Sequence, residues 1–278
     1  MKHIVSFSGG KDSTALLLWG RENLPDFEGV FCDTGWEHPI TYAYVAEIGQ
    51  TICGGKLRML RSDKYAGFED LVLKKGIVPG LRSRFCTEEL KIKPLHAYYQ
   101  TIDDEITVYV GIRADESQKR AEMQPEKWVD DGGGYWCKFP LFNWSARDCF
   151  DLMKKYNVPP NPLYKMGMKR VGCWPCIMVS LGELRQAFLR FPELRDQLMR
   201  LEAKLNEGRE EKDYRAFFRT DYIPARFCSL KVQTKDGRWK NCPSAMDVYD
   251  YLTWEDPAQI KLLDVPAPQC MSVYNLCE

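Results

Sequence analysis

The sequence predicts an α/β fold: a doubly wound, parallel five-stranded sheet followed by a smaller, mostly helical C-terminal region. Three observations carry this. Short apolar runs alternate with helical patterns through the first half; a glycine-rich bend joins the first run to the first helix; three prolines stand in the four positions 159–162. Strands are expected at residues 4–7, 29–32, 57–60, 106–111 and 137–142, with helices at 12–21, 40–51, 88–100 and 145–156. The prolines remove amide donors and fix φ, so regular structure stops there. The boundary is placed at 160, giving regions 1–160 and 161–278, with later helices at 181–190, 192–206 and 245–252. Ligands of open α/β sheets bind outside the carboxyl ends of the strands, which is where the bend lies.

The chain has 278 residues, 45% hydrophobic, enough for a substantial core. Basic and acidic side chains number 39 each, so no global positive field gathers nucleic acid and any polyanion must meet a local patch. No apolar stretch approaches the roughly twenty residues of a membrane span, and the first strand begins at once, so a cytoplasmic protein without a membrane partner is expected. Eleven cysteines in a chain of this size point to metal or redox chemistry rather than to a disulfide scaffold.

The bend is Ser8-Gly9-Gly10-Lys11-Asp12-Ser13. Two glycines let successive amides turn towards an anion, and the positive end of the next helix adds to them. Lys11 brings a full charge, while Asp12, Ser13 and Thr14 can cap the helix or hold magnesium beside phosphates. Asp33, in Asp33-Thr34-Gly35-Trp36 at the end of the second strand, faces the same crevice, where it can bond a ribose, assist magnesium or cap the following helix. After the fourth strand, Gly111 allows close backbone approach to a nucleotide, and Arg113 can grip phosphate in two-pronged fashion.

Cys173-Trp174-Pro175-Cys176 spaces two thiols for one centre, and Cys86 supplies a third from far away in sequence. Such a pair suits a redox couple, half a zinc site or part of an iron–sulfur cluster. Cys32, Cys53 and Cys149 lie in apolar runs and read as small buried hydrophobes. The three histidines form no ligand pair, and His38 reads as a helix cap or a solvent-facing group. The aromatic and basic stretch 214–222 reads as a helix packing its rings inward, and Gly132 to Gly134 as a loop between strands.

Ser-Gly-Gly-Lys-Asp-Ser after a first strand resembles the pyrophosphate loop of the adenine nucleotide alpha hydrolase superfamily. Its members split ATP between the α and β phosphates and include the phosphoadenylylsulfate (PAPS) reductase family. The resemblance implies a HUP-like sheet. Asp33 to Trp36 is similar to a segment of the small subunit of ATP sulfurylase, and Gly111 to Ser117 resembles the family's Gly-x-Arg-x-x-Glu-Ser. Cys86 with Lys91 to Pro94, then Asn161-Pro162-Leu163-Tyr164 leading to Cys173 and Cys176, looks like members that carry a [4Fe–4S] cluster. Adenylylsulfate reductases have two adjacent cysteines at the first position, and here Phe85 replaces one. Three ligands would leave one iron open, as in tRNA-thiolating members; Cys137 or Cys228 is a candidate fourth ligand, and zinc the alternative metal.

The intact loop favours an ATP cleaver over a reductase. Reductases also end near Glu-Cys-Gly-(Ile/Leu)-His, whereas this chain closes Tyr274-Asn275-Leu276-Cys277-Glu278. The expectation is an ATP pyrophosphatase acting in sulfur transfer. Lys11 and the Gly9 and Gly10 amides would hold the outer phosphates, with Ser8, Ser13 and Gly111 also binding the nucleotide, Asp12 and Asp33 the Mg²⁺, and Arg113 the charge near the α phosphate. The resemblance implies a nucleic-acid substrate, a cysteine desulfurase as sulfur donor, and a homo-oligomer or a subunit of a complex. The alternatives are an adenylylsulfate or PAPS reductase and a non-catalytic nucleotide-binding subunit.

Overall fold

β1 (Lys2–Phe7) sends alternate side chains to opposite faces of the sheet, Ile4 into one apolar cluster and Val5 with Phe7 into another. Both faces are therefore covered, as a parallel sheet requires. The computed structural model describes residues 1–80, 83–218 and 223–254. These divide into one unit of residues 1–68 and 85–174 and a second of 69–80, 83–84, 175–218 and 223–254, so residues 161–174 lie with the first unit rather than past a boundary at 160.

In the first unit, α1 (Lys11–Asn23) follows the bend and buries Ala15 to Leu18. β2 (Glu28–Cys32), α2 (Pro39–Thr51) and β3 (Leu57–Leu60) come next. α2 begins on a proline and is capped by His38, whose Nδ1 accepts from the Ile40 amide at 3.0 Å, which is the capping role expected of it. β4 (Ile106–Tyr109), β5 (Glu126–Val129) and β6 (Tyr135–Lys138) complete a sheet of order β3-β2-β1-β4-β6-β5. The expected parallel sheet is present with one strand more. β5 pairs antiparallel with β6 across the Gly132 to Gly134 loop, and its alternately exposed Glu-Lys-Trp-Val has no apolar run to announce it. The helix expected over 88–100 starts as a π-helix, Glu88–Ile92, before continuing as the α-helix Lys93–Tyr99. The helix Ala146–Lys155 packs Cys149, Leu152 and Met153 into the cluster under α1.

The second unit holds the helices Leu181–Arg190, Pro192–Asn206 and Ala245–Thr253, each close to its expected span. A hairpin of β7 (Leu230–Gln233) and β8 (Trp239–Cys242) adds what the sequence reading lacked. Residues 214–218 form no helix, although Phe217 packs inward as expected; 219–222 and Cys277 lie outside the described residues. Among the described residues no helix is long and apolar enough to cross a membrane.

Glu202 organises this unit. Its carboxylate accepts from the Ala245 amide at 2.7 Å, the Tyr214 hydroxyl at 2.9 Å and the Phe217 amide. Burial pushes its pKa up, and these three donors only partly oppose that. A carboxyl whose folded pKa is raised contributes stability below its ordinary value of 4.5 and loses it as pH rises through the folded value. Urea melts of wild type should therefore weaken as pH rises past that window. Glu202→Gln should flatten the slope while costing about 1–3 kcal/mol, since an amide accepts at one end only. An unchanged slope would remove Glu202 as the cause.

Candidate functional site

The bend between β1 and α1 depends on Gly9, whose φ of +83° L side chains rarely adopt and whose missing Cβ would lie 2.9 Å from Thr41 Cγ2. Gly10 is the N-cap of α1 and supplies no side-chain cap, so the first amides of the helix are left to other acceptors. Ser13 Oγ receives the Ser8 amide at 3.2 Å and donates to the Gly10 carbonyl at 3.0 Å, holding the bend shut on itself. Thr14 Oγ1 donates to the same carbonyl at 2.8 Å.

Asp12 is fully buried. Its Oδ1 receives Arg113 Nε at 2.6 Å and the Cys149 thiol at 3.5 Å, and its Oδ2 receives Lys11 Nζ at 2.7 Å. Arg113 is 4% exposed and also bonds Asp115 and the Trp144 carbonyl. The structure thus places Arg113 against the loop through Asp12. Gly111 serves the same junction: a Cβ there would stand 3.1 Å from the Asp12 carbonyl, so β4 approaches the loop backbone closely. Burial, with Asp12 adding to it, pushes the Cys149 thiol well above its ordinary value. Cys53 is buried among apolar groups, as expected; Cys149 packs in the same cluster but turns its thiol to Asp12, and Cys137 is buried in the cluster on the other face, pushed by burial to about 12.

At the end of β2, Asp33 accepts from the Gly35 amide at 2.9 Å and from Tyr42 OH at 2.7 Å on Oδ1, with Arg61 on Oδ2. Burial would raise its pKa, yet Tyr42, Gly35 and Arg61 together hold it below the usual carboxylate range. Tyr42 also donates to Glu37 at 2.8 Å, so one hydroxyl joins two acids. That oxygen-rich pair suits a hard cation, because magnesium takes one or two carboxylates and completes its shell with water and phosphate.

Late residues of the same unit complete this end of the sheet. Cys173 forms a bridge with Glu37, the Trp174 amide donates to the Trp36 carbonyl at 2.6 Å, and the Cys173 thiol lies 3.9 Å from Thr34 Oγ1. Asn161, 1% exposed, donates to the Gly9 carbonyl at 3.2 Å, and Lys11 N–H donates to the Tyr164 hydroxyl at 2.9 Å. Cys86 sits in the single turn Phe85–Thr87 ahead of the π-helix, while Cys176 falls in the second unit. Among the described residues no group of three or more His, Cys, Asp or Glu side chains is arranged to hold a metal ion.

The sequence reading named the loop, Asp33, Gly111, Arg113 and the cysteines, but gave no role to Glu37, Tyr42 or Arg61. Thr34 and Glu37, flanking Gly35-Trp36, were the available signal, since polar groups crowded at a strand end face the crevice.

An uncharacterized 37.8 kDa protein of Escherichia phage 186 is 33% identical over 242 residues, covering 69% of this chain and 71% of its own. The adenosine 5'-phosphosulfate reductase of Allochromatium vinosum is 30% identical over 99 residues, covering 35% of this chain and 37% of that protein. The crystal structure of phosphoadenylyl-sulfate (PAPS) reductase from Candida auris superposes with a TM-score of 0.51 at 20% identity, covering 63% of this chain and 83% of that one, a likeness of fold. The phosphoadenosine phosphosulfate reductase domain matches residues 2–179, and by that match the chain belongs to the phosphoadenosine phosphosulfate reductase family.

Proposed function

We propose that this protein is an ATP pyrophosphatase that adenylates an acceptor oxygen and lets sulfur displace the AMP. One observation carries the reading: α1 opens on Gly10 without a side-chain cap, with Lys11 beside it, a donor array that suits the outer phosphates of ATP. The Gly9 and Gly10 amides with Lys11 would hold those phosphates. Asp33, with Glu37 beside it, would hold Mg²⁺, which neutralises charge on the departing pyrophosphate. Asp12 would reach the ion only by releasing Lys11, so its first role is to anchor the loop to Arg113.

The acceptor oxygen attacks the α phosphorus and pyrophosphate leaves; a sulfur nucleophile then attacks the adenylated carbon or phosphorus and AMP leaves. Cys173, set beside Thr34 at the carboxyl end of β2, is a thiol at the right end of the sheet for that second step. The resemblance implies a [4Fe–4S] cluster on Cys86, Cys173 and Cys176, and the displacement proposed here uses the Cys173 thiol alone. The same resemblance supports nucleic acid as acceptor and a cysteine desulfurase as donor. With ATP, Mg²⁺, a nucleic-acid acceptor and a sulfide donor the protein should release pyrophosphate and AMP. Release of ADP and phosphate instead, or sulfite formed from an activated sulfate with a thiol donor, would replace this reading.

A further inference from the structure

Tyr164 stands on the phosphate cradle. It belongs to the segment at and after the proline break, which is fastened to the loop at two points and to α2 at a third. Tyr44 OH donates to the Pro159 carbonyl at 2.9 Å, Asn161 Nδ2 to the Gly9 carbonyl at 3.2 Å, and Lys11 N–H to the Tyr164 hydroxyl oxygen at 2.9 Å. The Tyr164 ring meets Phe150 edge-on at 6.0 Å, and Lys11 Nζ lies 6.0 Å from its centroid. The hydroxyl oxygen thus occupies, on the first amide of α1, the acceptor position a phosphate oxygen would take.

We propose that Tyr164 is a built-in competitor for the outer-phosphate site and sets its affinity, an inference that rests on the phosphate reading above. Without nucleotide, the Lys11 amide is part-buried and its loss of an acceptor would be costly, so the hydroxyl stabilises the empty cradle. When a phosphate arrives, that bond must be exchanged for one to the ligand, and its free energy is subtracted from binding. Lys11 Nζ, held by Asp12, makes a parallel exchange. The cradle is therefore satisfied internally when empty, and Tyr164 is the side chain whose release opens its first amide.

Calorimetric titration of the full chain with inorganic pyrophosphate and with AMP tests this. Tyr164→Phe keeps the ring against Phe150 and deletes the competing oxygen. It should bind pyrophosphate about three- to tenfold more tightly, the equivalent of one net hydrogen bond. AMP affinity should stay the same, and the unliganded protein should melt at a slightly lower temperature. A purely structural tyrosine would instead lose melting temperature and affinity together. Wild type that binds pyrophosphate while Tyr164→Phe binds it equally or more weakly overturns the competitor role alone. Absence of pyrophosphate binding by both proteins overturns the phosphate reading, and the competitor role with it.

Discussion

Arg113→Ala is expected to cost roughly 3–5 kcal/mol of stability in the unit that carries the loop, the magnitude found when one partner of a buried ion pair is removed. The reason is Asp12, which is fully buried and would keep only Lys11 as a charged partner. Asp115 and the Trp144 carbonyl would lose the same guanidinium. A melting temperature lower by on the order of 10 °C follows for a domain of this size. Because a chain with two compact units need not unfold in one step, hydrogen exchange at α1 and β4 is the appropriate measurement. Arg113→Lys should recover part of the loss, since one ammonium meets Asp12 but cannot also span to Asp115. Pairing Arg113→Met with Asp12→Asn should recover more, because it removes the stranded charge. A loss below about 1 kcal/mol in the single variant would show that Asp12 is stabilised by something other than Arg113.

Lys11→Ala should separate chemistry from folding. Lys11 occupies the first position of α1, where alanine is at least as good a helix former, and Asp12 keeps Arg113. Asp12 loses one charged hydrogen bond, so stability should fall by about 1–3 kcal/mol, less than in Arg113→Ala. Pyrophosphate release from ATP should fall about 10²–10³-fold, the usual consequence of removing one preorganised group facing developing phosphate charge. Single-turnover release of pyrophosphate measures it, and Lys11→Arg should restore a fraction. A loss of less than about tenfold would place the phosphates elsewhere. The two variants thus report different things: Arg113→Ala acts through the loop's anchorage, and Lys11→Ala through its charge.

The strand, bend and helix at the start were legible because each obeys a local rule: an apolar run, two adjacent glycines, and a 3.6-residue apolar repeat. The supports of the bend were not. Asn161 and Tyr164 lie about 150 residues away, and no periodicity connects them to Gly9 or Lys11. They were noticed only as part of the string leading to the cysteine pair. From sequence Gly111 makes room for nucleotide, whereas in the structure the Asp12 carbonyl fills the space its side chain would take. β5 escaped because an edge strand with one wet face needs no continuous apolar run. The β7–β8 hairpin did leave a signal, Asp236-Gly237 with positive φ at the glycine, flanked by alternating residues. The π-helical start after Cys86 cannot be seen in periodicity, since one inserted residue shifts the register without changing composition.

The bond between Lys11 and Tyr164 spans 153 positions, and the bridge from Glu37 reaches to Cys173. On the ribosome the loop emerges first and its fastening last, after every strand of the larger sheet has left the exit tunnel. A nascent chain can therefore assemble that sheet while its anion-gripping turn is still unfastened, and the turn acquires its internal partners only when the stretch from Asn161 to Cys173 arrives.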